Sequence, residues 1–198
     1  MKEALDWIQL NRIEVAAAAV SITYVILSVR QIKWLWWFGL ASAILYAIVY
    51  LNAGFYAGMG LQFYYAAISF YGWWQWTRKH QGNESHGQLK VSHLRLKTGL
   101  ILLLTFAILW SAISLTLFYG TDSKVPVWDG LISAGGIVAT WMLARKILQH
   151  WLVWILIDAI SIAVYAWQEM YATTVLFFIY VCTAIIGYSQ WKKSMQKE

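Results

Sequence analysis

The chain of 198 residues is 61% apolar and only 12% charged, with 14 Trp, 12 Tyr, one Cys and one Pro. Soluble domains carry about 25% charge, so this composition excludes a disordered chain, a disulfide scaffold, a four-thiolate metal site and a vicinal-dithiol redox enzyme, and argues for a membrane protein. The net charge of +6 then reads as basic cytoplasmic loops rather than as a nucleic-acid surface.

Residues 1–12, MKEALDWIQLNR, are polar and amphipathic. No apolar core precedes a small-residue cleavage site there, so the first span is expected to serve as the insertion signal. A bilayer core of about 30 Å takes roughly 20 helical residues. Apolar runs near that length fall at about 14–29, 34–51, 57–76, 99–119, 127–144, 151–167 and 171–191 and predict seven spans. Most connections are brief. The exception, 77–98, carries Arg78, Lys79, His80, His86, Lys90, His93, Arg95 and Lys97 and reads as a solvated cytoplasmic loop without chemistry. No polar stretch is long enough to form a separate soluble domain.

The basic residues orient the spans. Lys2, Arg12 and Lys124 fall on the side of the N-terminus. Arg30, Lys33, Arg78, Lys79, Lys90, Arg95, Lys97, Arg145, Lys146, Lys192, Lys193 and Lys197 fall on the other. This bias predicts an N-terminus outside and a C-terminus in the cytoplasm, and it favours an odd number of spans.

An offset of 115 residues lays 22–76 on 137–191 without a gap. Identical pairs include Arg30/Arg145, Trp36/Trp151, Tyr50/Tyr165, Tyr65/Tyr180, Gly72/Gly187 and Trp76/Trp191. In all, 14 of 55 pairs match, against roughly four expected from so biased a composition. The predicted fold is therefore all-α integral membrane, with seven transmembrane helices as 3+1+3 parallel repeats. Residues 14–76 form the first three-helix repeat, 77–126 the loop plus a linker helix at about 99–119, and 127–191 the second repeat. Such repeats are typical of transporters that hold a substrate between their halves near mid-membrane.

Asp158 stands in the middle of the sixth span, WLVWILIDAISIAVYAW. A carboxylate there costs at least about 2.5 kcal/mol, so it is expected to face the bundle interior and to meet a ligand. At 100° per residue, Trp151, Trp154, Asp158, Ser161 and Tyr165 share one stripe. Gln62, Tyr65, Ser69, Trp73 and Trp76 form a similar stripe on the third span. In the first repeat Trp36, Tyr46 and Tyr50 match the Asp158 stripe, and Ala43 takes the place of Asp158. Aromatic faces, a carboxylate and an amide suit a planar, nitrogen-rich cation with a polar tail. At least half of the aromatics are expected to be interfacial belt, as in QIKWLWWFG and YGWWQWTRK.

Other chemistry is not written in the spans. There is no phosphate-binding loop, no paired metal-ligand spacing and no lysine within the last span before Lys192 for a Schiff base. Cys182 reads as packing, His150 as a span-end residue, and Gly54 and Gly58 as a weak helix-pairing signal. No cofactor or metal is expected.

The runs GMGLQFYYAAISFYGWWQWTRK, VWDG and ARKILQHWLVWILIDAISIAVYAWQEMYATTVLF resemble the Pnu family of bacterial vitamin transporters, of the PnuC type. Nearly the whole chain takes part in the resemblance, and its layout is similar in plan to that of the SWEET sugar transporters. The resemblance implies facilitated uptake across the bacterial inner membrane, with the vitamin trapped inside by phosphorylation. The family's substrates are nicotinamide riboside, thiamine and, in one branch, riboflavin. Gln62, Trp151, Trp154 and Asp158 match the family's binding positions, and Asp129, opening the fifth span, matches a recurrent family residue. The nicotinamide riboside branch carries Asn where this chain has Asp158, which tilts the expectation toward thiamine, whose aminopyrimidine can donate to a carboxylate. The expected partners are the vitamin and the lipid bilayer, with a homo-oligomer open to so small a protomer and no nucleic acid. The rival reading is a proton or ion channel relayed by Asp158. A membrane enzyme would want a second acid, a nucleophile or a metal beside Asp158, and none is evident.

Overall fold

Runs of Leu, Ile, Ala and aromatic residues, broken only by short polar connections, leave the backbone little choice in lipid: each segment must satisfy its own hydrogen bonds as a helix. The structure, a computed structural model, describes residues 12–52, 56–78 and 89–196. Gly54, Lys79, His80, His86 and the first eleven residues lie outside the described residues. Among those described, seven α-helices follow one another: α1 Arg12–Val29, α2 Leu35–Asn52, α3 Tyr56–Thr77, α4 Leu96–Gly120, α5 Pro126–Ala144, α6 His150–Trp167 and α7 Tyr171–Met195. Each predicted span falls on one of them. Helices α4, α5, α6 and the 174–195 part of α7 are long and apolar enough to cross a membrane, and α1 and α2 carry shorter apolar stretches, Ala16–Val29 and Leu35–Leu51. Helix α3 is 22 residues long, but its polar and aromatic residues dilute its hydropathy.

The chain divides into two compact units, Met1–Thr77 and Arg78–Glu198. In the first, Ser21 and Ser42 share a hydrogen bond of 2.7 Å between α1 and α2. In the second, α5 presents Gly130, Ala134, Gly135, Gly136, Ala139 and Thr140 as a buried face. Small side chains let neighbouring helices come close. A Cβ on Gly130 would run into Ser114 of α4, and one on Gly135 would meet Ile157 of α6. Pro126 opens α5 at a position where its missing N–H costs nothing. None of the α4 residues is buried.

The turn between α1 and α2 has a close counterpart between α5 and α6. Gln31 and Lys146, 115 residues apart, both take the left-handed backbone, at φ 56° and 50°. Each turn closes its helix with a 6→1 bond, Ile32 N–H to Leu27 O at 2.9 Å and Ile147 N–H to Met142 O at 3.0 Å. The accompanying 5→2 bonds are Gln31 N–H to Ser28 O and Lys146 N–H to Leu143 O, at 3.1 and 2.9 Å. These pairs satisfy carbonyls that a helix end otherwise leaves open. A third turn of the same kind, around Glu169 at φ 61°, ends α6.

The second turn has an addition. Ser92 N–H donates to Lys146 O at 3.0 Å, and Leu148 N–H donates to Ser92 O at 2.9 Å, forming a parallel bridge between Ser92 and Ile147. The end of the stretch read as a solvated loop is thus extended chain fastened to the α5–α6 turn, with Val91 buried and Leu94 packed on Val138, Met142 and Ile147.

Candidate substrate site

Helix α6 begins four residues after the left-handed Lys146, and that turn sets the face it buries. His150, Trp151, Ile157, Asp158, Ser161 and Val164 are its buried residues. The face reproduces most of the stripe read from the sequence. Trp154 and Tyr165 lie at its partly buried margin.

Asp158 is 4% exposed, and its carboxylate makes no hydrogen bond to another described residue. Its neighbours on the face are otherwise engaged. Ser161 donates to Ile157 O at 2.8 Å, and Tyr165 stacks on Phe177 of α7 with 5.2 Å between ring centroids. A carboxylate without a donor in so apolar a setting is an acceptor waiting for one.

Trp151 is wedged inside its own unit. A Cβ on Gly187 of α7 would overlap its indole, and Trp191 meets it edge-on at 5.8 Å. Its indole N–H is buried without a partner among the described residues. His150, fully buried, packs beside Trp151 at 4.5 Å and against Trp191 at 4.7 Å. Its Nδ1 pairs with Ile147 O at 2.8 Å, while Nε2 has no partner among the described residues.

The first unit holds the other predicted residues. Gln62, Ser69 and Trp76 of α3 are buried, with Tyr65 and Trp73 half-buried between them. Ser69 donates to Tyr65 O at 2.7 Å, and Tyr65 meets Tyr64 edge-on at 5.6 Å. Trp36 repeats the wedge: a Cβ on Gly72 would overlap its indole, Trp76 meets it edge-on at 5.7 Å, and its N–H too is buried without a partner among the described residues. Tyr46 and Tyr50 stack at 6.0 Å, and Ala43, the counterpart of Asp158, is buried.

Asp129 lies apart from the α6 face. It occupies the first turn of α5 and accepts a 2.7 Å hydrogen bond from Ser123 Oγ, which ties it into the α4–α5 loop. A carboxylate there also complements the helix dipole. The tryptophans divide into exposed and buried rings. Trp34, Trp37, Trp74, Trp128 and Trp167 are exposed, as interfacial rings are, and Lys33 lies over Trp73 at 5.7 Å. Sequence reasoning did not find the glycine–tryptophan wedges or the setting of His150. The matched pairs Gly72/Gly187 and Trp36/Trp151 were the signal that could have found the wedges.

A family model described as "Nicotinamide mononucleotide transporter" matches residues 11–193. The chain belongs to that family. Among curated proteins it is similar to the nicotinamide riboside transporter PnuC of Escherichia coli K12, with 28% identity over 82% of this chain and 77% of that protein. PnuC of Neisseria mucosa is 25% identical over 81% of this chain and 64% of that protein. Among solved structures, the vitamin B3 transporter PnuC superposes with a TM-score of 0.74 at 22% identity, covering 94% of this chain and 83% of that one. As a member of the nicotinamide mononucleotide transporter family with several helices long and apolar enough to cross a membrane, the chain is a multi-pass membrane transporter and not an enzyme.

Proposed function

We propose that this protein is a facilitator for uptake of a cationic, water-soluble vitamin across the bacterial inner membrane, with nicotinamide riboside as the first candidate. The observation that carries the reading is Asp158, a buried carboxylate with no donor among the described residues, on the helix that also carries Trp151 and Trp154. The kinship to proteins named as nicotinamide riboside transporters adds the substrate class. In this reading all seven helices span the bilayer as 3+1+3 parallel repeats, with the N-terminus outside and the C-terminus in the cytoplasm, and the recurring turn geometry and the basic-residue bias support it. Trp151 and Trp154 flank the heterocycle, Asp158 and Gln62 bind its polar edge, and Trp36, Tyr65, Ser161, Tyr165 and Asp129 line or brace the path. The halves rock about the site, and phosphorylation inside the cell prevents return.

Thiamine is the second reading, and one residue favours it. The family resemblance implies Asn in the nicotinamide riboside branch where this chain has Asp158, and a carboxylate accepts well from an exocyclic amine while balancing a thiazolium. Counterflow of labelled nicotinamide riboside and labelled thiamine in proteoliposomes tests both. Saturable exchange of either establishes the vitamin reading and picks the substrate. Proton or cation current with no vitamin flux would replace it with the channel.

A further inference from the structure

The segment before α4 is clasped at two levels. The backbone bridge joins Ser92 to the α5–α6 turn. The Gln149 side chain then reaches the same segment twice: its Oε1 accepts from Leu94 N–H at 2.8 Å, and its Nε2 lies 3.0 Å from His93 Nδ1. With Oε1 used as the acceptor, the amide must donate to Nδ1, so the imidazole carries its proton on Nε2. Beneath the clasp, Leu94 packs on Val138, Met142 and Ile147 together with Leu102 and Phe106 of α4. Toward the far end of α4, Trp110 Nε1–H donates to Val127 O at 2.9 Å, and Gly130 lies against Ser114. Helix α4 is therefore tied to α5 both near its start and beyond its middle, and the clasp adds the start of α6.

Among its described residues the first unit has no equivalent clasp residue. Trp34 stands where Gln149 stands, and its ring packs on Trp73 at 5.4 Å instead. The clasp thus belongs to one turn of two that otherwise share their geometry. Gln149 also directly precedes His150 and Trp151, so a pull on the segment before α4 reaches the helix that carries Asp158.

We propose that Gln149 is a positioning residue for transport: by clasping Val91–Leu94 onto the α5–α6 turn it locks α4 to α5–α7, and four helices move as one body. This rests on the transport reading above. In a 3+1+3 device the connector would be free to flex against both repeats. Here α4 stays with α5–α7, and the clasp stays closed throughout the cycle.

The test uses the full chain in proteoliposomes, in a Cys182→Ala background. Ser92→Cys with Ile147→Cys places two thiols on bridged residues, and paired chains lie about 4.8 Å apart, inside the roughly 4.4–6.8 Å Cα separation a disulfide takes. The expected result is a readily formed disulfide with counterflow of the transported vitamin unchanged between the oxidised and reduced protein. A disulfide that stops counterflow, with recovery on reduction, would overturn the proposal, because the clasp would then have to open. Gln149→Ala should lower the maximal rate about three- to tenfold with KM changed less than about twofold, while Gln149→Glu, which can still accept from Leu94 N–H, should lie nearer the parent. Equal losses in both variants would overturn it. Hydrogen exchange on the purified protein needs no substrate: the Ser92, Leu94 and Leu148 amides should be protected, and Gln149→Ala should speed Leu94 at least about tenfold. Unprotected amides, or no disulfide under oxidant, also overturn it. If the parent moves neither vitamin, the functional reading fails, and exchange and cross-linking alone decide whether the clasp is closed.

Discussion

The helices α1–α3 and α5–α7 use the same devices to different ends. Both turn from their first helix to their second through a left-handed residue, Gln31 or Lys146, and both seat a tryptophan of the second helix on a glycine of the third. The rings Trp36 and Trp76 meet at 88°, and Trp151 and Trp191 at 85°. Where chemistry enters, the likeness stops. Ala43 faces Asp158 in register, Leu35 faces His150 and Trp34 faces Gln149. The packing is duplicated, while Asp158, His150 and Gln149 are single-copy. A site built this way can be asymmetric without disturbing the scaffold that holds it.

The sharpest way to break the comparison is to write the second unit's charge into the first. Ala43→Asp should cost roughly 2.5–3.5 kcal/mol of insertion free energy, seen as less folded protein in membranes. Uptake gained by that variant would contradict the assignment of the working carboxylate to the second unit alone. At Asp158 itself, Asp158→Ala should lower kcat/KM for the transported vitamin about 10- to 100-fold, the worth of a hydrogen bond to a charged group, while leaving the thermal midpoint of the detergent-purified protein near or above the parent's. Unchanged uptake would remove Asp158 from the site.

The wedges should respond alike. Gly72→Ala and Gly187→Ala should each destabilise by about 1–3 kcal/mol through overpacking, read as a lower unfolding midpoint in detergent. Trp36→Leu and Trp151→Leu should restore part of each loss. A clear difference between the two glycines would show that the duplicated packing has drifted. The smallest effect is expected at His150. His150→Leu copies the first unit and removes a buried, unpartnered Nε2, so stability should stay level or rise by about 1 kcal/mol. A large fall would mean that Nε2 meets a partner in the working protein.

Much of the fold was legible because a bilayer constrains length so tightly. The run expected at about 99–119 is the helix Leu96–Gly120, and that expected at 151–167 is His150–Trp167. Asp158 was legible for a related reason: a carboxylate in an apolar helix turns inward. The turns were less so. Gln31, Lys146 and Glu169 occupy backbone that glycine usually takes, so no residue type announced them. The clasp was invisible, because backbone bonds from one extended residue carry no periodicity and pair positions 55 apart. Tryptophans were the hardest to sort. Trp36 and Trp37 are neighbours in a belt-like sequence, yet one is buried against Gly72 and the other is exposed.

The unequal lengths of helices in the second unit bear on the lipid around them. Helix α4 has 25 residues and α6 has 18, or about 37 and 27 Å of rise at 1.5 Å per residue. Against a hydrocarbon layer of about 30 Å, α4 must lean to hide its ends, while α6 nearly matches it upright. Thickening or thinning the bilayer therefore strains α4 and α6 in opposite senses, and acyl-chain length becomes a variable that sets how this small carrier stands in its membrane.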